Sequence, residues 1–308
     1  MRGAVVRTVI ELPYGENNQF FSSSTANAGE PIIFHYTRAA GALGILQSGE
    51  MWCTLASHMN DRVEGKYAHS LAKSIAYSEL RKSADSFRNN FLSELTEQLA
   101  RYQHAKVYAA CFSEAEDLLS QWRGYTGKFG YALGFSLKSL QTVAATQHFL
   151  LQPVKYKYEE QRDILLPVIQ DLVSKYDPDL DPDEDREKID ILFAPAMKRI
   201  AEKSAIIKHP SFSEEREWRL HSHPLSPLQD RTDFVVRDDQ IVPIVKVKLD
   251  NGTSKHRNTF IEQRDICLRS CVIGPGADPT ERHDAMWAVS RRYRVRLDQL
   301  IESSAPLR

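Results

Sequence analysis

An α+β fold is predicted, because strand-like and helix-like stretches follow one another without the regular alternation of a doubly wound sheet. Two observations support it. Short apolar runs rich in β-branched and aromatic residues recur along the chain, and between Glu64 and Gln103 apolar residues return every three or four positions.

In order, Val5 to Leu12 has the composition of a short strand, and "GENNQFFSSSTANAGE" reads as an irregular arm, so residues 1–29 stand apart from one domain spanning 30–308. "PIIFHYT" (Pro31 to Thr37) predicts a strand. A short amphipathic helix through Ala40, Leu43, Ile45 and Leu46 follows, stopped by Gly49, and "MWCTL" (Met51 to Leu55) predicts the next strand. The periodic stretch from Glu64, with Tyr67, Leu71, Ile75, Phe87, Phe91 and Leu95, predicts one or two long helices inserted at about 64–103. "KVYAACFS" (Lys106 to Ser113) and "YALGFS" (Tyr131 to Ser136) predict strands flanking a helical "EDLLSQWRGYT". A second helical insertion occupies about 159–207, broken by the exposed acidic loop "DPDLDPDEDRE", which lacks the glycine and ligand order of a calcium loop. Strands are expected over 215–222, over Ile241 to Leu249 and from Leu268, with a last helix from Pro279 to Tyr293.

The 40 basic residues nearly balance the 41 acidic ones, so there is no global field to draw in nucleic acid or an acidic membrane. No stretch has the run of apolar residues that spans a bilayer, and the first residues lack the apolar core of a secretory signal, so a cytoplasmic protein without a membrane partner is expected. Cys53, Cys111, Cys267 and Cys271 lie mostly within apolar runs and have no ligand spacing; they read as reduced core residues, and no metal site is expected.

Four stretches carry candidate chemistry. "FSEEREWRL" (Phe212 to Leu220) would, if extended, turn Glu215, Glu217 and Arg219 to one face and Trp218 and Leu220 to the other. A carboxylate so placed can bind a ribose hydroxyl and stabilise positive charge at an anomeric carbon, or can form an exposed ion pair worth about 0–1 kcal/mol. His35-Tyr36-Thr37 ends the first strand, where polar side chains often face a ligand and a histidine is also a common structural residue. Asn60, Asp61 and Glu64 fit a helix cap with its capping-box partner. Gln121, Trp122 and Tyr125 fall within about one helical turn, as core residues or as a wall against a planar ring. A fifth stretch, "SRRYRVR", offers Arg291, Arg292, Arg294 and Arg296 as a nucleic-acid contact or as a solvated helix end.

Taken together, "FHYT", "LGILQSGEMWCT", "MNDRVEG", "CFSE", "LLSQWRGYTGKFGYALGF", "KHPSFSEEREWRL" and "CVIGPGA" resemble an uncharacterised bacterial domain family. That family is similar to a distant branch of the ADP-ribosyltransferase superfamily, whose DNA-modifying toxins carry a passage like "ALGILQSGEMW". The resemblance implies a split, strongly bent sheet holding NAD+ as substrate, and a bacterial toxin or anti-phage defence effector that transfers ADP-ribose or hydrolyses NAD+. It makes Glu217 the catalytic carboxylate, Glu215 the residue that orients the acceptor, and His35 the ribose-binding histidine. Ser113 would support Glu217, and Lys208 and Arg219 would meet the diphosphate or neutralise the acids. Tyr36, Thr37, Asn60 and Gln121 complete the expected contacts, and Trp52, Trp122 and Tyr125 all qualify as the ring stacked on nicotinamide. The tyrosine that the histidine-type branch carries on its second strand is replaced here by Trp52. The acceptor (protein, nucleic acid or water) stays open, as does a non-catalytic nucleotide- or protein-binding module on the same fold.

Overall fold

Strand β3 (Tyr108–Ser113) is the branch point of the architecture. At one end it joins β2 (Glu50–Leu55) through Thr54–Ala109 and Leu55–Tyr108. At the other it touches β1 (Ile32–Arg38) through the pair Phe34–Ser113. Along its length it pairs antiparallel with β6 (Glu217–Ser222), from Ala109–His221 to Ser113–Glu217. The computed structural model describes residues 30–306 except 60–63, 103–105, 128, 225–228, 238, 251–263 and 277–278. The strand expected at Val5 to Leu12, the arm after it, and Asn60 with Asp61 therefore lie outside the described residues.

The fold is mixed α/β on a bent, unclosed sheet of ten strands. Beyond β1 the sheet continues through β4 (Gly130–Ser136) and β9 (Leu268–Ile273) to the parallel edge strand β10 (Gln299–Glu302). Beyond β2 it continues through β8 (Gln240–Lys248) to the opposite edge, β7 (Thr232–Arg237). The branch ends in β5 (Phe149–Pro153), which pairs with β6.

Helices α1 (Ala39–Ser48), α5 (Leu137–Thr146) and α8 (Pro279–Arg292) supply Leu46, Leu140 and Met286 to the main core, with Phe112, Leu133, Phe135, Phe149 and Leu220 from the strands. Each large side chain buried there contributes about 1.5–3 kcal/mol. As predicted, α1 stops at Gly49, in left-handed backbone (φ 70°) with its N–H on the Ile45 carbonyl. A Cβ at Gly49 would also lie 2.1 Å from the Arg264 guanidinium, which donates to the Gln47 and Ser48 carbonyls at 3.0 and 2.8 Å and so caps the helix.

The two helical stretches form α2 (Glu64–Glu79) and α3 (Asp85–Arg101), then α6 (Tyr158–Lys175) and α7 (Arg186–Ser204). The four share a second core, separate from the first, built from residues such as Ile75, Phe91, Leu95, Ile169, Phe193 and Ile200.

Three expectations need correction. The strand foreseen from 215 begins at Glu217: Pro210–Glu215 winds into a 3₁₀ turn and Arg216 takes φ 43°, so the alternation of faces does not extend back to Glu215. The helix foreseen in "EDLLSQWRGYT" is a single α turn, α4 (Leu119–Gln121), widened at Trp122–Thr126 into a π turn. The patterns gave no signal for α5, β5, β7 or β10, which are present. No helix among the described residues is long and apolar enough to cross a membrane.

Candidate functional site

Glu217 opens β6 directly across from Ser113, so the register of two strands brings the end of "CFS" to the start of "EWRL". Its carboxylate is enclosed. Oε1 accepts from Arg219 Nε at 2.7 Å, and Oε2 accepts from Arg219 at 3.1 Å and from Lys208 Nζ at 3.0 Å. Lys208 Nζ also donates to Glu215 Oε2 at 2.9 Å and lies 4.9 Å from the centre of the Phe212 ring. Two carboxylates and two cations thus share one site, with Glu217 and Arg219 each 4% exposed and Lys208 2%.

Glu215 reaches this cluster by a route the alternation did not foresee. Ser113 Oγ donates to the Glu215 carbonyl at 2.6 Å and accepts the Ala115 N–H at 3.0 Å, fixing the 3₁₀ turn that aims Glu215 at Lys208. Ser113 therefore supports the backbone ahead of Glu217, and its hydroxyl is spent there. The Glu217 N–H is held by the Tyr156 hydroxyl at 3.0 Å.

Burial alone would raise the Glu217 pKa. The charge and hydrogen bonds of Arg219, the Lys208 ammonium and a hydrogen bond from Cys111 outweigh it and hold the carboxyl at about 2. Glu217 is ionised across the physiological range. Tyr156 moves the other way: burial, against the hydrogen bond from the Glu217 N–H, pushes its phenol up to about 12. The Tyr125 phenol is also pushed up, chiefly by burial, and feels Cys111, Lys208, Glu215 and Glu217.

His35 meets this cluster through Cys111. Where β1 and β3 part, His35 Nδ1 lies 2.8 Å from the Cys111 carbonyl, and the thiol of the same residue is hydrogen-bonded to Glu217. A carbonyl only accepts, so Nδ1 carries the proton and Nε2 is the basic nitrogen. Burial lowers the His35 pKa, the bond to Cys111 raises it, and Arg237 lowers it further, so the ring is neutral at pH 7. Phe112 packs beside it at 5.6 Å between ring centres.

The remaining predicted residues divide by position. The Tyr36 hydroxyl donates to the Ala115 carbonyl at 2.7 Å, and its ring meets Trp122 edge-on at 4.7 Å. Trp122 is buried in a small third core with Phe34 and Tyr36, and its Nε1 donates to Asp117 Oδ1 at 2.7 Å. Asp117 also accepts from Ser303 and from the Ser304 N–H and hydroxyl, so it ties the segment after β10 to this turn. Gln121 is buried on α4, and Thr37 packs against Gly41. Tyr125 faces the charged cluster, whereas Trp52 is half-exposed on β2 across from Lys246, in another part of the sheet. Leu118, Leu119, Ser120, Arg123, Gly124 and Glu214, the last two next in sequence to Tyr125 and Glu215, line an open hollow.

Sequence reasoning missed Tyr156, Cys111, His221 and Gln161. His221 is fully buried two residues from Arg219, and burial pushes its pKa down to about 4. Gln161, on α6, donates through Nε2 to the Lys155 and Lys208 carbonyls, both at 2.8 Å, and accepts from Tyr67 of α2 at 2.9 Å. It fastens the helical core to the segment after α7 that carries Lys208. Of the basic segment, Arg291 and Arg292 end α8, Arg294 takes φ 56° with its carbonyl on the Arg264 N–H, and Arg296 is paired with Asp298 at 2.7 Å. Among the described residues no group of three or more His, Cys, Asp or Glu side chains is placed to hold a metal ion.

The family DUF2971, described as a protein of unknown function, matches residues 121–220, from α4 to the middle of β6. That span includes Lys208, Glu215, Glu217 and Arg219, and the match carries no link to ADP-ribosyltransferases. No curated protein and no solved structure matches the chain.

Proposed function

We propose that the chain cleaves the nicotinamide–ribose bond of NAD+ and passes ADP-ribose to an acceptor or to water. One observation carries the reading: an ionised carboxylate, Glu217, buried at the head of β6 and joined through Cys111 to the neutral imidazole of His35 where the sheet divides. Ionic groups so deeply desolvated cost stability relative to an apolar core, which makes them candidates for a functional site.

In this reaction the C1′–N bond breaks with both electrons leaving on nicotinamide, and C1′ gains a lone pair from the acceptor, whose proton passes to a carboxylate or to water. The protein must set negative charge against the cationic ribose. Glu217 has that charge, but Lys208 and Arg219 neutralise it. A diphosphate is the anion that matches this pair of cations, and their transfer to it frees Glu217 for the ribose and Glu215 for the acceptor. Tyr125, whose phenol feels Lys208, Glu215 and Glu217, is assigned the nicotinamide wall.

The closed pairing itself favours a second reading, a module that binds a nucleotide or a protein without turnover. Nicotinamide release from NAD+ separates the two. The first reading expects release by the wild type and its loss in Glu217→Gln; an inactive wild type that still binds NAD+ or ADP-ribose in calorimetry leaves the module. Full activity in Glu217→Gln overturns the role of Glu217.

A further inference from the structure

The β7–β8 hairpin forms one end of the sheet and carries an apolar stripe, with Phe234 61%, Val236 74% and Ile241 70% exposed. Phe234 pairs with Pro243 and Val236 with Ile241, which sets all four on one face. Arg237 and Gln240 flank a two-residue turn, and the pair flanking such a turn is a hydrogen-bonded one. Alternation then makes Val235 and Asp233 bond to β8, whereas Thr232, Phe234 and Val236 turn their backbone groups outward. The Phe234 N–H agrees with this: it donates to Asp233 Oδ1 at 2.8 Å.

We infer that β7 pairs antiparallel with β7 of a second copy of the chain, about a two-fold axis through Val235. In this register Phe234 lies opposite Val236 of the second copy, so two outward-facing residues exchange both of their hydrogen bonds. Asp233, which also holds Lys246 of its own copy, lies opposite Arg237, which also donates to Thr54 of its own, so opposite charges meet twice beside those contacts. The neighbouring registers fail. An axis through Phe234 sets Arg231 against Arg237, and one through Val236 sets Asp233 against Asp239. An axis between Phe234 and Val235 matches outward-facing residues with inward-facing ones and forms no ladder. The charge pattern of this edge is complementary to itself, which is the argument for a second copy over an unrelated protein. Pairing also covers an open apolar edge that would otherwise invite aggregation.

Sedimentation equilibrium tests the inference. The wild type is expected to dimerise at micromolar concentration. Asp233→Arg and Arg237→Asp should each weaken association tenfold or more, and the double variant should restore it. Val236→Pro, which removes an outward N–H and leaves the β8 ladder intact, should give a monomer that melts cooperatively near the wild-type temperature. A wild type that stays monomeric up to about 100 μM, a weak affinity on the scale of stable dimers, overturns the inference. So does a dimer indifferent to the charge reversals, or a double variant that fails to recover.

Discussion

Two ionic networks in this molecule have similar composition and unequal burial. In the helical core, Arg186 of α7 grips Glu94 of α3 at 2.7 and 3.2 Å and reaches Asp190 at 3.2 Å, with Gln98 donating to both acids. That network opens to solvent at one end only: the Arg186 side chain is 25% exposed and that of Asp190 44%, while that of Glu94 is 6%. At the head of β6 the Lys208 and Glu217 side chains are each 3% exposed and that of Arg219 5%. Exposed pairs contribute little and are screened by salt, whereas a buried charge that loses its partner is left uncompensated. The first network is an adjustable clamp between helices. The second can change partners only when another charged group enters.

The sharpest way to break this contrast is Lys208→Met, which strips the shared cation from Glu215 and Glu217. A loss of about 3–5 kcal/mol is expected in urea denaturation at pH 7. Acid should expose the same asymmetry. Glu217, at about 2 in the folded chain against an ordinary 4.5, contributes stability that is full above pH 4.5 and vanishes as pH falls towards 2. His221, at about 4 against 6.5, likewise contributes stability that is full above pH 6.5 and lost as pH falls through 4. Each amounts to about 3 kcal/mol at most. A His221→Gln variant should therefore show a flatter fall in stability between pH 6.5 and 4 than the wild type. Gln161→Leu removes a donor from the Lys155 and Lys208 carbonyls and the acceptor of the Tyr67 hydroxyl, for an expected cost of about 1–3 kcal/mol, read by thermal melting. Arg186→Met should cost less than Lys208→Met, about 1–3 kcal/mol, because the buried Glu94 keeps the Gln98 amide when it loses its cation. A cost for Arg186→Met equal to that of Lys208→Met would abolish the distinction between the networks.

Strong local signals made much of the fold legible. β1 and α1 sit between Pro31 and the Gly49 stop, β2 starts directly after it, and the helical core announces itself through apolar residues every three or four positions. β5 and β7 did not, because "FLLQP" is short and the outward residues of "TDFVVR" are themselves apolar, which hides the period of two. Glu217, Arg219 and Lys208 were readable as charges on or next to an aromatic strand. The true path to Glu215 was not, since it depends on Arg216 entering the left-handed region and on Ser113 holding the turn from 102 residues away. Gln161 and Tyr156 act through backbone atoms of distant segments, and neither residue type nor spacing marks such a role.

Asp117 gathers donors from Trp122 in the π turn and from Ser303 and Ser304, which follow the parallel strand at the sheet's far edge. The turn bordering the hollow that Glu214 lines is thereby moored to a strand it never pairs with. Loosening that rim, as Ser303→Ala would, is a disturbance delivered remotely: it leaves the Lys208, Glu217 and Arg219 charges in place and alters the shape of the hollow.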